Sequence, residues 1–412
     1  MTHFSTEFFR QNRQSLRKLL GNDQLVVMTA HGVLQRTADT TFPFAQERNF
    51  WYLTGIDEPD LVLVLDGTEE FIIAPPVDAV RDVFDGALNA KAVTKRSGIT
   101  TVLPYAEGWN QLKAALHAHK TAHTILPGPV YHQQYALYAN PARRRLLEHI
   151  KRLNPGLDLQ DARPALTKLR SVKQPAEIAA ITEAVRITTQ TIDTLRQQQT
   201  LQAFANEYEL EAAITAAFRR TGASGHAYTP IVASGAHATT LHYVANDGRI
   251  NPGELIVVDV GAEVENYAAD ITRTLCSRPL TPRQRAVADG VREVQQHAAA
   301  LIAPGLQLRD YEAAVAAKMG EVLQSLGLVT STHDTDMIRR YYPHATSHFL
   351  GLDVHDVGDY HTPLEPGMVL TCEPGIYIPE EGIGVRLEDD LVVTTTGSKN
   401  LSASCSYDPS IV

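Results

Sequence analysis

The sequence predicts an α+β C-terminal domain that is preceded by a smaller α/β domain. In residues 1–160, short apolar segments with strand character alternate with segments of helical periodicity, which is typical of α/β architecture. In residues 161–412, long helices and strands are instead segregated along the chain, which indicates α+β. The length of 412 residues and the hydrophobic content of 44% are sufficient for two domains with separate cores.

The N-terminal domain is predicted to begin with an amphipathic helix. In that helix, Leu16, Leu19 and Leu20 have the i, i+3 and i+4 spacing of residues that share one buried face. Three strands and two helices are predicted to follow: strands at Gln24–Met28, Leu61–Leu65 and Phe71–Ile73, and helices at Trp109–His117 and Pro141–Leu153. A turn-rich stretch at 154–164 comes next, and it places the domain boundary near residue 160.

The C-terminal domain is predicted to contain four long helices and four strands. Pro175 and Glu177 indicate the start of its first helix, because proline suits the first turn and an acid suits the positive end of the helix dipole. The predicted helices are Pro175–Gln197, Glu207–Thr221, Pro282–Ile302 and Leu308–Leu326. The predicted strands are Pro230–Ala233, Leu255–Val260, Met368–Cys372 and Gly384–Val393.

Composition argues against several classes of function. The formal net charge of −10 disfavours binding to nucleic acid, which normally needs a basic surface. No apolar run approaches the length that spans a membrane, and the first residues lack the apolar core of a secretory signal. Cys276, Cys372 and Cys405 are too few and too scattered for a disulfide framework, so we expect a cytoplasmic protein.

Two segments of the C-terminal domain resemble each other. PGELIVVDVG and PGMVLTCEPG each contain Pro-Gly, a mostly apolar strand, and an acid seven residues after the proline. These acids, Asp259 and Glu373, are each followed by a second acid, Asp270 and Glu388 respectively. The Pro-Gly match alone is a common pattern of turn and strand. With the acids added, it predicts two similar strand ends that each bring two carboxylates to a pseudo-two-fold site.

A histidine-rich segment accompanies these carboxylates. HATSHFLGLDVHDVG contains His344, His348 and His355 among glycines and aspartates. Each group alone is more simply explained as a strand-end acid, a surface ion pair or a core histidine. Together, four carboxylates and one histidine predict a site for two divalent metal ions: Asp259, Asp270, His348, Glu373 and Glu388.

The chemistry of these ligands narrows the choice of metal. An oxygen-rich set with one imidazole suits hard or borderline ions such as Mn²⁺, Co²⁺ or Zn²⁺. A closed structural zinc site would instead favour cysteine ligands. A pair of such ions lowers the pKa of a shared water, and nearby imidazoles can stabilise the oxyanion that forms at the attacked carbonyl.

The order of these ligands resembles that of the pita-bread metallopeptidases. Within that family, SHFLGLDVHDVG, EPGIY and GIGVRLEDD resemble the proline-specific branch, aminopeptidase P and prolidase. The segment RNFWYLTGIDEPDLVLVL, which begins at Arg48, resembles the N-terminal domain of aminopeptidase P. The resemblance therefore covers nearly the whole chain. It implies a pita-bread catalytic domain and an exopeptidase that cleaves between an N-terminal residue and a following proline.

The resemblance also implies roles for individual residues. The five ligands would bind two divalent ions, with Mn²⁺ favoured, and Glu373 would also shuttle protons. His355 would lie beside the scissile carbonyl, and His242 and His344 would line the substrate pocket. Arg386 would hold a ligand carboxylate by a hydrogen bond. Tyr228 and Tyr377 would form hydrogen bonds in and around the site.

The resemblance implies peptides with proline at the second position as partners, and self-association as a dimer or tetramer. Three other functions remain open at this stage. A prolidase would accept only dipeptides, a pita-bread binding module would have lost its metals, and a creatinase-like amidinohydrolase would need none. The last two are expected to lack one or more ligands, whereas all five are present here.

Overall fold

The computed structural model describes residues 4–128 and 137–410, except for the side chains at positions 81, 198 and 199. The chain divides into two compact units, the first ending at Leu169 and the second beginning at Arg170. The boundary that the sequence predicts, near residue 160, falls inside the last strand of the first unit. The first unit therefore extends past the turn-rich stretch that suggested the boundary.

The first unit contains a mixed sheet and helices, as expected for an α/β domain. Its helices are α1 (Thr6–Leu20), α2 (Arg48–Thr54), α3 (Ala79–Asp85), α4 (Ala90–Ser97), α5 (Tyr105–Ala118), α6 (Ala142–Leu153) and α7 (Arg163–Ser171), the last of which contains the division between the units. Its strands are β1 (Leu25–Thr29), β2 (Gln35–Thr37), β3 (Thr40–Thr41), β4 (Val62–Asp66), β5 (Glu69–Ile73), β6 (Val102–Leu103), β7 (Thr121–Thr124) and β8 (Asp158–Asp161).

Six of these strands form one sheet in the order β6-β5-β4-β1-β7-β8. β4 runs antiparallel to both neighbours, whereas β1 with β7 and β7 with β8 are parallel pairs. Strand β8 corrects the prediction of turns at 154–164. Its sequence, DLQD, has a single apolar residue, so its strand state depends on the hydrogen bonds of β7 rather than on its own pattern.

The second unit has six described helices and eleven described strands. The helices are α8 (Pro175–Leu195), α9 (Gln198–Leu201), α10 (Glu207–Arg220), α11 (Pro282–Leu301), α12 (Leu308–Ser325) and α13 (Thr335–Tyr341), with short 3₁₀ segments at Gly235–Thr239 and Pro379–Glu381. The strands are β9 (Gly225–His226), β10 (Ile231–Ser234), β11 (Leu255–Val260), β12 (Ala262–Val264), β13 (Tyr267–Ala268), β14 (Ile271–Cys276), β15 (Val369–Cys372), β16 (Gly375–Ile378), β17 (Ile383–Arg386), β18 (Asp389–Val393) and β19 (Ser398–Asn400).

The four long helices that the sequence predicts are confirmed, and their ends show why they form. In α8, Pro175 occupies the first turn, and the carboxylate of Glu177 accepts a hydrogen bond from the N–H of Gln174. At the start of α11, the N–H of Thr281 donates to the side-chain oxygen of Gln284, and the N–H of Gln284 donates to the hydroxyl of Thr281. No described helix is long and apolar enough to cross a membrane.

Two similar three-stranded sheets provide the framework of the site. One has the order β10-β11-β14 and the other β15-β18-β19. β11 pairs with β14 so that Asp259 lies opposite Thr272, and β15 pairs with β18 so that Cys372 lies opposite Asp389. Each sheet thus has an apolar strand that leads to an acid, followed by an antiparallel partner that begins next to a second acid, as the internal similarity predicts.

The predicted single strand Gly384–Val393 is wrong, because the structure has two strands there. β17 pairs with β16, whereas β18 pairs with β15. Between them, the N–H of Leu387 donates to the carbonyl oxygen of Pro374, and the N–H of Glu388 donates to that of Thr272. Arg386 therefore ends β17, and Glu388 lies between the two strands.

A large hydrophobic core of the second unit lies between helices α11 and α12 and the strands that follow them. Val291 and Val294 of α11, with Val315 of α12, share a cluster with Leu370 of β15 and Val385 of β17, and all of them are buried. Because β15 and β17 pack on these helices, the chain immediately after each strand starts from a fixed position. Those are the places from which Glu373 and Glu388 project.

Candidate metal centre

Two of the predicted carboxylates are brought together by one antiparallel strand pair. Asp259 lies on β11, and Asp270 immediately precedes β14, the partner of that strand. Both side chains are buried. The hydroxyl oxygen of Tyr228 lies 2.5 Å from Oδ1 of each aspartate. The two carboxylates therefore converge on one point, and Tyr228 can donate its single proton to either of them.

His348 lies between this pair and the second half of the site. Its Nε2 is 3.4 Å from Oδ2 of Asp270 and 3.3 Å from Oε1 of Glu373, while its Nδ1 is 3.1 Å from the carbonyl oxygen of Phe349. Glu373 directly follows β15, and its N–H donates to the carbonyl oxygen of Thr346. Backbone hydrogen bonds thus fix both the imidazole and the glutamate beside Asp270.

Glu388 is attached to the first sheet through Thr272. The backbone N–H of Glu388 donates to the carbonyl oxygen of Thr272 at 3.0 Å, and the Thr272 hydroxyl donates to Oε2 of Glu388 at 2.6 Å. The N–H of Asp270 donates to Oδ2 of Asp390 at 3.0 Å. These reciprocal contacts hold the second acid of each half against the opposite half.

The five predicted ligands line one cavity of about 310 Å³. Asp270, His348 and Glu388 offer ligand atoms that all lie within 4.8 Å of one another, close enough to bind a common ion. Five other residues that the sequence singles out also line this cavity: Tyr228, His242, His344, His355 and Arg386. Tyr377 does not line it and lies behind His344 and Arg386.

The electrostatics of this donor set fit divalent cations. Burial and the charges of neighbouring acids raise the pKa of Glu373 to about 8 and the pKa of Glu388 well above that of an ordinary carboxyl group. Burial alone would lower the pKa of His348, but its hydrogen bond to Asp270 and the charge of Glu373 raise that pKa to about 9. Buried carboxylates that repel one another in this way are stabilised as anions by bound cations.

A chain of hydrogen bonds joins Asp259 to His344 through the predicted orienting residues. Nη2 of Arg386 donates to Oδ2 of Asp259 at 2.6 Å, and Nη1 donates to the hydroxyl of Tyr377 at 2.9 Å. The Tyr377 hydroxyl lies 2.9 Å from Nε2 of His344, whose Nδ1 is 2.9 Å from the carbonyl oxygen of Ala345. Burial and the charge of Arg386 lower the pKa of His344 to about 4, so this imidazole is neutral at pH 7.

The two remaining histidines occupy different parts of the wall. The ring of His355 lies edge-on to that of His348, with centroids 4.5 Å apart, and burial together with the charge of His348 lowers the pKa of His355 to about 4. His242 is exposed on the segment between β10 and β11. Four apolar side chains complete the wall near them: Ile231, Leu241, Val244 and Val354.

The structure adds supporting residues that the sequence analysis did not identify. Both oxygens of the Glu312 carboxylate accept from the N–H of Thr346, at 3.0 Å each, which fixes the segment between His344 and His348. Glu312 lies in the second turn of α12, where nothing in the local sequence distinguishes it from a surface acid.

A second supporting group lies beneath His355. Asp356, the next residue, contacts two buried cations: Nη2 of Arg170 at 2.5 Å and Nζ of Lys173 at 3.1 Å. The only signal in the sequence is the presence of Asp356 in the HDVG motif, because its partners lie almost two hundred residues earlier in the chain. The loop that carries His355 is therefore anchored by a buried ion-pair cluster.

Comparison with known proteins agrees with this geometry. The family described as metallopeptidase family M24 matches residues 179–395, and the domain described as aminopeptidase P, N-terminal domain, matches residues 9–125. The Xaa-Pro aminopeptidase of Escherichia coli (strain K12) is 34% identical over 99% of this chain and 97% of that protein. Human Xaa-Pro aminopeptidase 3 is 32% identical over 93% of this chain and 79% of that protein.

Solved structures show the same relationship at full length. Proline aminopeptidase P II from Yersinia pestis superimposes with a TM-score of 0.85 and 31% identity, covering 98% of both chains. Aminopeptidase P from E. coli with the inhibitor Pro-Leu also gives 0.85 and 31%, covering 98% of this chain and 97% of that one. The fold is therefore that of aminopeptidase P, with the predicted pita-bread domain in the second unit. This chain belongs to metallopeptidase family M24 and carries the N-terminal domain of aminopeptidase P.

Proposed function

We propose that this chain is a metalloaminopeptidase that removes the N-terminal residue from peptides with proline at the second position. The observation that carries the proposal is the convergence of three buried carboxylates, the partly exposed Glu373 and His348 on one cavity whose wall holds three further histidines. The named relatives, which are Xaa-Pro aminopeptidases over nearly the full length of this chain, support the same activity.

Five residues of this chain would hold two divalent ions: Asp259, Asp270, His348, Glu373 and Glu388. The family resemblance and the preponderance of oxygen donors favour Mn²⁺ over Co²⁺ or Zn²⁺. When bound, the ions would supply Lewis acidity that polarises the scissile carbonyl and lowers the pKa of water. The rest of the chemistry depends on the protein's own side chains.

Recognition of the substrate follows from what an Xaa-Pro bond lacks. The amide nitrogen of proline has no N–H to donate, so the site must identify the ring by shape. His344 is fixed by Tyr377 and presents a neutral ring to the cavity, which suits an apolar pyrrolidine. The positively charged N-terminus of the peptide is attracted by the cluster of carboxylates. Ile231 and Leu241 offer an apolar wall for the remaining side chains.

Glu373 and His355 would manage the proton and the developing charge. Oε1 of Glu373 faces His348, and Oε2 lies 3.8 Å from Nδ1 of His344, so the carboxylate stands at the centre of the cavity wall. From this position it would accept a proton from the attacking water and deliver it to the proline nitrogen as the amide bond breaks. His355 and His242 would donate hydrogen bonds to the carbonyl oxygen as it gains negative charge.

The experiment compares two tripeptides that differ only in their second residue, Xaa-Pro-Leu and Xaa-Ala-Leu. The purified chain is freed of metal with a chelator and reloaded with manganese, cobalt or zinc in turn. We expect metal-dependent release of the first residue from the prolyl peptide alone. Inactivity on that peptide with all three metals would refute the proposal. Cleavage of Xaa-Pro dipeptides without cleavage of the tripeptide would identify the chain as a prolidase instead.

Two further elements belong to the proposal. A chain that binds peptides without cleaving them would retain no metal after gel filtration, so metal analysis separates that alternative from an enzyme.

We also propose that the protein acts in the cytoplasm, consistent with three buried cysteines that form no disulfide, and that it self-associates as a dimer or tetramer. Fractionation of cells and sedimentation of the purified protein test these two statements.

A further inference from the structure

Glu207 is a buried carboxylate at the start of α10, and its surroundings are outside the metal centre. The residue is fully inaccessible to solvent. Each of its two oxygens accepts two hydrogen bonds. Oε1 accepts from the N–H of Ser234 at 2.7 Å and is 3.1 Å from Nδ1 of His237, and Oε2 accepts from the hydroxyl of Tyr243 at 2.9 Å and from the N–H of Gly248 at 2.7 Å.

These donors lie on the last residue of β10 or on the segment that links β10 to β11. Ser234 ends β10 and Gly248 lies near the end of the segment, while His237 and Tyr243 lie between them. The backbone N–H of Glu207 also donates to the carbonyl oxygen of Gly248 at 2.9 Å. One carboxylate therefore binds both ends and the middle of residues 234–248, which we call the His242 loop.

Packing leaves the His242 loop little freedom around this carboxylate. The rings of His237 and Tyr243 stack with centroids 4.2 Å apart. A Cβ atom on Gly248 would lie 2.6 Å from Cε1 of His237 and 2.8 Å from Oε2 of Glu207, closer than any side chain can approach. The backbone of Gly248 is thus pressed directly against the carboxylate that receives its N–H.

The loop delivers three residues to the cavity: Leu241, His242 and Val244. Within residues 4–128 and 137–410, no hydrogen bond fixes the exposed imidazole of His242. Its position over the cavity is therefore set by the backbone of the loop rather than by partners of its own.

We propose that Glu207 is a positioning residue, which shapes the His242 loop and thereby places His242 over the bound peptide. The role of His242 in this statement rests on the proposed function. A carboxylate is required because Ser234 and Gly248 each present a backbone N–H, one to each oxygen. An amide can accept at only one of its two positions, and its NH₂ group would face the other N–H without an acceptor between them.

The test compares Glu207→Gln with Glu211→Gln, a control on the same helix. Glu211 accepts from the loop as well, but only from the side-chain amide of Asn246, so a glutamine there keeps its one hydrogen bond. For Glu207→Gln we expect faster hydrogen exchange of the amides from 234 to 248 and a 10- to 100-fold fall in kcat/KM on a prolyl tripeptide. Metal content should match that of the unmodified protein, and Glu211→Gln should change each quantity less than threefold.

A double variant distinguishes positioning from a general structural effect. If Glu207 acts through His242, adding Glu207→Gln to His242→Ala should reduce kcat/KM by less than threefold beyond His242→Ala alone. The proposal would be overturned if the fold-losses in kcat/KM of the two single variants multiplied in the double variant. It would also be overturned if Glu207→Gln lost its metal. Unchanged exchange at 234–248 would overturn it as well, and that measurement needs no turnover. If the chain were inactive on every prolyl peptide, the proposed function would be refuted. Hydrogen exchange of the amides at 234–248 would still decide whether Glu207 holds the loop.

Discussion

Nη2 of Arg386 donates a 2.6 Å hydrogen bond to Oδ2 of Asp259, so the last residue of β17 orients a carboxylate on β11. The same guanidinium donates to the hydroxyls of Tyr377 and Thr272. It is buried, and its charge lies among acids whose mutual repulsion it reduces. Arg386 therefore connects Asp259, a proposed metal ligand, with the wall of the cavity that holds His344.

The first prediction concerns the shape of that guanidinium. In Arg386→Lys, one ammonium group cannot replace donors directed at three separate acceptors. We expect kcat/KM to fall about 10- to 100-fold, with weaker retention of metal, because residues that orient ligands typically contribute that much. Arg283→Lys is the control, since Arg283 forms a partly exposed pair with Glu381. Equal activity of both variants would contradict the role assigned to Arg386.

The second prediction concerns Glu388, a proposed metal ligand that contacts Thr272 of the first sheet. Glu388→Gln keeps the size of the side chain and an acceptor for the Thr272 hydroxyl but removes one negative charge from the site. We expect the variant to retain less than the full complement of metal after dialysis and to lose about a thousandfold or more in kcat, because several kcal/mol of electrostatic stabilisation are lost. Elemental analysis and steady-state kinetics measure both effects. Glu365→Gln, an exposed acid, should retain metal and activity.

The third prediction uses a glycine under the loop of His355. A Cβ atom on Gly351 would lie 2.1 Å from Oδ2 of Asp356, which the buried Lys173 holds in place. We expect Gly351→Ala to lower the free energy of unfolding by about 1–3 kcal/mol and to reduce activity, because the loop must shift. Gly397→Ala has open space for its methyl group and should change neither. Urea unfolding and assays of both variants check this, and an unaffected Gly351→Ala would show that the loop adapts freely.

The fourth prediction concerns the dependence of stability on pH. Burial raises the pKa of Glu177 to about 7, although its hydrogen bonds to Gln174 and Tyr267 act in the opposite direction. Between pH 4.5 and 7, the folded state therefore holds a proton that the unfolded state has released. It follows that stability due to Glu177 is present at low pH and is lost as pH rises through 7.

Glu177→Gln tests this sign. The amide can accept from Gln174 and donate to Tyr267, so the helix cap survives without a titratable group. Between pH 5 and 8, the free energy of unfolding should fall more in the unmodified protein than in the variant, by on the order of 2 kcal/mol. Urea titrations with a chelator present exclude pH effects of metal binding. Parallel pH profiles would show that Glu177 does not titrate in this range.

The acids of the site could be predicted from sequence because they interrupt apolar strands. An aspartate at the end of IVVD and a glutamate after VLTC have no hydrophobic role, and their repeated spacing indicates a common purpose. The long helices could be predicted for similar reasons, since their periodicity and caps are local. Histidines crowded around His348 gave the remaining signal.

Features that depend on distant partners could not be predicted in this way. β8 forms because β7 offers hydrogen bonds, and the break before Glu388 forms because the backbone exchanges one strand partner for another. The environment of Glu207 has the same character: its acceptors are satisfied by residues about thirty to forty positions away, and its own segment resembles any helix start with an acid.

The pairing of the two sheets has a consequence for how such a centre can arise. The β10-β11-β14 half contributes Asp259 and Asp270, and the other half contributes Glu373 and Glu388. One half alone would present only two carboxylates, too few to neutralise a pair of divalent ions, whereas two copies placed face to face would present four. A site that balances the charge of two divalent ions therefore needs both halves of the unit, and the second half alone supplies the imidazole.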